Sequence, residues 1–134
     1  MTLFTAIPQK RWLQAAVAVA GFVPVIAGLA GALTGAAMTR AAVNASTDSH
    51  FRYLSGLLLG LGLLFWGCIP RIEQRTALVR ALTLMVVIGG LARAYSLYSV
   101  GLPGTAMRFA LIMELIVTPA LCLWQSRVAA AACD

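Results

Sequence analysis

Acidic side chains are almost missing from this chain. Asp48, Glu73, Glu114 and Asp134 are the only four in 134 residues, against ten basic ones. His50 is the sole histidine and Lys10 the sole lysine. So small a stock excludes several chemistries. A lone imidazole with no second nitrogen or thiolate ligand beside it is a poor metal site. A Ser-His-Asp arrangement would need Ser49 or Ser55 to meet His50 and Asp48 on one short stretch, which neighbouring residues rarely do. Cys68, Cys122 and Cys133 have no metal-binding spacing and no CxxC, so free thiols are expected, with Cys68 and Cys122 acting as small buried hydrophobes. No catalytic residue, metal or cofactor is expected.

Charge of either sign is also scarce. Only 10% of residues are charged and 61% are hydrophobic, with a mean hydropathy of +0.91. A soluble domain of this size could not hide that much apolar surface, so the expected solvent is a bilayer. In a soluble protein a net charge of +6 would suggest nucleic acid. Here the basic residues flank apolar segments and no basic stripe or groove-reading motif is present, so topology and anionic headgroups explain the charge instead.

What the sequence does have is long apolar runs. Four segments can cross about 30 Å of hydrocarbon at 1.5 Å per residue: about 12–33, 53–69, 77–100 and 105–124. The first, in "MTLFTAIPQKRWLQAAVAVAGFVPVIAGLAGAL", is about twenty residues long, which suits a retained span better than the core of a signal peptide. Backbone groups in lipid must find partners within the protein, so these spans are helices. The expected fold is all-α: one integral domain over 1–134, a four-helix up-down bundle. The connection "TGAAMTRAAVNASTDSHFR" is read as a short interfacial helix followed by a turn before the second span. Asn44-Ala45-Ser46 matches a glycosylation sequon by composition only.

Basic residues set the expected orientation. Lys10, Arg11, Arg71, Arg75, Arg80 and Arg127 fall on one side, and Arg40, Arg52 and Arg108 on the other, six against three. The richer side is the cytoplasm, so both termini are expected there, in a bacterial inner membrane. Trp12, Trp66 and Trp124 lie near cytoplasmic ends, as interfacial anchors would. Small residues should line the helix contacts. In the second span Arg52, Ser55, Gly56, Leu59, Gly60, Leu63 and Gly67 share a face expected to meet partner helices, with Leu57, Leu58, Leu61, Leu64 and Phe65 toward lipid. Gly28, Gly31 and Gly35 play that part in the first span, and Pro24 is expected to kink it.

Arg93 lies within the third span, where a buried arginine costs roughly 2.5–3.5 kcal/mol on insertion scales. It can snorkel outward or find a partner. Glu114 is the one acid well inside an apolar segment, on the neighbouring span and at similar depth, so the two are expected to pair. Tyr53, Ser55, Tyr95, Ser96, Thr118, water or a ligand could take the remaining guanidinium donors. Asp48, His50 and Arg52, with Arg108 opposite, form a second group at the outer mouth.

These residues also carry a resemblance. "RYLSGLLLGLG", "GGLARAYS" followed by "GLP", and "ELIVTP", in that order, resemble the bacterial membrane proteins of the domain-of-unknown-function 4345 family over about residues 15–127. The resemblance marks Arg52, Tyr53, Ser55, Gly56, Gly89, Gly90, Arg93, Ser96, Gly101, Pro103, Glu114 and Pro119 as motif positions. It implies four membrane helices and no established activity, substrate or cofactor.

The reading that gathers most of its required parts is a non-enzymatic binding or accessory protein. Arg52, Tyr53, Ser55, Arg93, Ser96 and Glu114 would form a polar site in the outer half for a small or amphiphilic ligand, with Asp48, His50 and Arg108 at its mouth. Membrane lipid is the expected partner, alongside a homo-oligomer or a larger membrane complex, and no nucleic acid. The alternatives are a purely structural lock and an oligomeric proton-coupled carrier titrating at Glu114. A membrane-embedded enzyme using Glu114 and a tyrosine lacks a second inward acid, a metal cluster and a nucleophile.

Overall fold

The computed structural model of the chain describes residues 3–39 and 44–132. Every regular element among them is helical: α1 (Leu3–Thr34), a 3-10 turn (Gly35–Thr39), α2 (Ala45–Cys68), a second 3-10 turn (Ile69–Gln74), α3 (Thr76–Val100), α4 (Thr105–Ile112), a π-helical turn (Met113–Val117) and α5 (Thr118–Ala131). Four stretches are long and apolar enough to cross a membrane: Pro8–Ala37, Ala45–Gln74, Thr76–Val100 and Thr105–Ala131. The chain divides into two compact units, Val17–Ile69 and the remainder, which joins the start of α1 to everything from Pro70 onward.

The four long apolar stretches match the sequence reading, but three boundaries differ. α1 begins at Leu3, ahead of the expected Trp12. The fourth span runs on to Ala131 rather than ending near Trp124, since "QSRVAAA" keeps strong helix formers. The largest shift is at α2, which starts at Ala45 instead of about Tyr53. "STDSH" is its first turns, where a loop turn was expected. The cause is Asn44: its side chain accepts from the Thr47 N–H at 2.8 Å, which is an N-cap. Asp48 follows in the first turn, where a negative charge favours the helix dipole. Of the expected interfacial helix only Gly35–Thr39 is described, as a 3-10 turn; residues 40–43, Arg40 included, lie outside the described residues.

Within Val17–Ile69, α1 and α2 touch through small residues, along part of the expected face. Gly56, Gly60 and Gly67 have open space where a side chain would stand. The contact runs through Ser55 and Leu59, as expected, and through Gly62 and Trp66, which the expected face did not include. A methyl group at Gly28 would collide with the Leu59 backbone, and one at Gly31 with the Ser55 side chain. A methyl at Gly62 would lie 2.7 Å from Val25 Cγ2 and 3.2 Å from the Pro24 ring. α1 runs through Pro24 as continuous helix, with the glycine of α2 leaving room for the ring. Trp66 closes the contact. Its Nε1 donates to the Ala18 carbonyl at 3.1 Å, its ring meets Phe22 edge-on at 4.9 Å, and it covers Gly21. Trp66 is thus a packing residue, whereas Trp12 is 70% exposed, as an interfacial anchor would be.

In the other unit, Leu13, Ile72, Val79, Leu82 and Val128 are buried. Gln125, fully buried among them, donates from Nε2 to the Ile72 carbonyl at 2.7 Å and to Thr76 Oγ1 at 2.9 Å. It ties α5 to the tight turn before α3. Lys10 reaches Glu73 in the same turn at 2.9 Å.

The contact face of α2 is testable by substitution. Gly62→Leu should destabilise the protein by about 1–3 kcal/mol through overpacking, read as a lower unfolding temperature in detergent. Gly60→Ala should be neutral or stabilise by roughly 0.5–1 kcal/mol, since alanine is the better helix former and nothing crowds it. Equal losses at both positions would contradict the packing described.

Candidate functional site

The residues that could carry a function form two polar clusters, one in each unit. The first is built on α3 and the fourth span. Gly90 lets the two approach: a side chain there would meet Leu115 at 2.7 Å and Glu114 Cβ at 3.0 Å. Close approach places Glu114 beside Arg93, one turn further along α3. The guanidinium donates from Nε to Glu114 Oε2 at 3.0 Å and from Nη2 to Oε1 at 3.1 Å. Two parallel charge-assisted bonds of this kind hold orientation as well as charge. The third donor, Nη1, points to Met107 Sδ at 2.8 Å. The side chains are 32% and 16% exposed for Arg93 and Glu114, so the carboxylate is the more enclosed partner.

Glu114 does not sit in ordinary α-helix. It falls in the π turn Met113–Val117, where the Thr118 N–H reaches back five residues to the Met113 carbonyl. Thr118 Oγ1 donates to the same carbonyl at 2.8 Å. The cause is Pro119, which lacks an N–H and whose ring would press on the Leu115 carbonyl in a regular helix. An extra residue in the turn relieves that pressure, and such turns recur at functional positions. The sequence signal was present in "ELIVTP", where proline follows Glu114 by little more than a turn, but the π turn was not foreseen.

The second cluster joins α1 to α2. α1 ends at Gly35, whose φ of +66° is the left-handed conformation glycine favours at a helix end. The last carbonyls of α1 would otherwise lack partners. Arg52 supplies them: Nη1 donates to Ala32 O and Leu33 O, each at 2.8 Å. Its Nε donates to Asp48 Oδ2 at 2.7 Å, and Asp48 Oδ1 accepts from the Ala36 N–H at 2.9 Å. Arg52 and Asp48 therefore act together as a clasp across the α1–α2 connection. The spacing of an i,i+4 acid–base pair carried the signal for their contact.

Arg93 and Glu114 are brought together, and so are Asp48 and Arg52. Ser55 is buried against Gly31, as part of the helix contact. Tyr53 is 64% exposed, and His50, Ser96 and Arg108 are exposed. A shallow open depression is lined by Ala45, Ser46, Ser49, His50 and Tyr53, and another by Pro8, Arg11, Trp12 and Ala15; neither includes Arg93 or Glu114. Among the described residues no three His, Cys, Asp or Glu side chains gather as metal ligands would. Cys68 and Cys122 are present as thiols; Cys133 lies outside the described residues. Gln125 and the Lys10–Glu73 bridge, with their roles in the turn before α3, were not picked out from sequence. A lone amide in "LCLWQS" was the only hint of the former.

A family model described as Domain of unknown function (DUF4345) matches residues 12–125. No curated protein and no solved structure matches the chain.

The ion pair makes an asymmetric prediction. Glu114→Gln strands a guanidinium that keeps its charge, whereas Arg93→Met leaves an acid that can take up a proton. Breaking a buried pair costs about 3–5 kcal/mol, and this one, partly exposed, should fall toward the lower end. Glu114→Gln should lose more stability than Arg93→Met, and the double variant should recover part of the loss. Simple additivity in that cycle would show that the two side chains do not interact.

Proposed function

The chain belongs to the DUF4345 family, and from that premise we propose that it is a multi-pass protein of the bacterial inner membrane with a binding or accessory role. Its four long apolar helices cross the bilayer in up-down order. Both termini lie in the cytoplasm, on the side of Lys10, Arg11, Arg71, Arg75, Arg80 and Arg127. The turn between α3 and α4 then faces outward, with Arg93 and Glu114 in the outer half of their spans.

One observation carries the binding role. An ion pair stands inside apolar helices with its arginine one-third exposed, so a polar, hydrogen-bonding group is offered to whatever surrounds the protein at that depth. Ionisable groups in such positions are costly and mark functional sites by default. An amphiphile can reach it from the lipid phase without a deep cavity. Catalysis has less support, since Glu114 is held by Arg93 and the other two acids among the described residues are paired elsewhere. The second reading is a structural lock. It is favoured by the fully forked geometry and by the position of both surface depressions elsewhere.

Native mass spectrometry from mixed-lipid nanodiscs separates the two. A binding protein should keep amphiphile adducts that the Arg93→Met, Glu114→Gln double variant loses. A lock should show the same adducts in both. Orientation is tested separately: a reporter active only outside the cytoplasm, fused after Arg127, should be silent, and a strong signal would reverse every loop assignment.

A further inference from the structure

We propose that the free edge of the Arg93 guanidinium receives the oxyanion of an acidic amphiphile, with Met107 as its displaceable placeholder. The proposal rests on the reading of Arg93–Glu114 as an amphiphile site and adds the chemistry of the headgroup. A guanidinium has five N–H groups, four of which form two edges of two each. Glu114 occupies one edge, formed by Nε and Nη2. On the other edge, formed by Nη1 and the second hydrogen of Nη2, Met107 Sδ is the one hydrogen-bond partner among the described residues, on Nη1. A thioether is a weak acceptor, and a poor match for a cation that binds carboxylate or phosphate through paired bonds.

The side chain holding that place is suited to leaving it. Met107 is 47% exposed, unbranched and flexible, so it can swing aside at little cost. It stands on the first turns of α4, beside Arg108, which is also exposed. Arg93 and Glu114 cancel, and Arg108 leaves this end of the unit with one positive charge, which a singly charged anion would balance. From Arg93 to Val100 the helix rises about 10 Å, a depth that a long arginine side chain bridges toward the headgroup region. Seven residues on from Arg93, and so on the same face of α3, Val100 is an exposed apolar side chain, available to an acyl chain. Both a phosphodiester and a fatty carboxylate present two oxygens to the open edge, and the shared requirement is an oxyanion carried on an apolar chain.

The test uses the full chain in phosphatidylcholine nanodiscs, with spin-labelled phosphatidylglycerol, stearate, phosphatidylcholine and diacylglycerol as probes. The readout is the immobilised fraction by electron paramagnetic resonance. The wild type should hold phosphatidylglycerol or stearate about tenfold more strongly than diacylglycerol, the factor one hydrogen bond to a charged group commands, and more strongly than phosphatidylcholine, whose phosphodiester carries its own cation. Preference for one of the two identifies the headgroup. Free inorganic phosphate should not compete; if it does, and the acyl chain adds nothing, the site takes phosphate and the amphiphile is wrong. Arg93→Gln should remove the preference. Met107→Leu, which leaves Arg93 and Glu114 in place, should keep or raise it, and a loss there would overturn the placeholder role even if Arg93→Gln fails to fold. Arg93-dependent retention of diacylglycerol alone would leave the amphiphile reading standing and reject the oxyanion. No Arg93-dependent retention of any probe would reject both.

Discussion

The forked ion pair between Arg93 and Glu114 is the constraint around which α3 and the fourth span are arranged. A guanidinium within an apolar helix must be neutralised or reach water. Neutralisation here demands close helix approach, and Gly90 permits it by having no side chain where Leu115 and Glu114 press in. The carboxylate must also point at α3. The π turn containing it, set by Pro119, adjusts the helical phase at that point. Arginine, glycine, glutamate and proline are thus one device spread over two helices.

The other scarce charges follow the same economy. Among the described residues the three acids are all paired: Asp48 with Arg52, Glu73 with Lys10 and Glu114 with Arg93. The Glu73 and Glu114 pairs join segments that are distant in sequence, and the Asp48–Arg52 pair, four residues apart on α2, holds the end of α1 through its backbone. Arg52 also caps α1, and Lys10 fastens the start of α1 to the turn before α3. Among the described residues no carboxylate stands unpaired, as fits the membrane setting proposed above. The basic residues outside these pairs, such as Arg11 and Arg127, cluster at the span ends, where the proposed topology needs them.

The apolar runs made the four long helices legible, because hydrocarbon length and backbone satisfaction leave little choice. The Arg93–Glu114 contact was legible for a similar reason, as the one basic–acid combination inside neighbouring spans. Other features depend on atoms that composition does not weigh. The start of α2 turned on a single side chain, Asn44, which outweighed a stretch of turn-forming residues. Spacing found only part of the contact face of α2: Ser55 and Leu59 were on the expected face, but so were Gly56, Gly60 and Gly67, which meet nothing, while Gly62 and Trp66 were not. Shape decided it: the Pro24 ring and Val25 need Gly62, and Trp66 needs Gly21. The role of Arg52 was hidden because its main partners are backbone carbonyls, which have no signature in side-chain pattern.

The central claim is that Arg93 and Glu114 hold one another inside the proposed membrane spans. Solid-state NMR on the protein in lipid bilayers measures this directly, through dipolar dephasing between nitrogen-15 in arginine guanidinium groups and carbon-13 in glutamate carboxylates. The account predicts a strong short-range signal, in keeping with N–O separations of 3.0 and 3.1 Å, that disappears in Arg93→Lys. A dephasing curve unchanged by that substitution, or no dephasing at all, would contradict it.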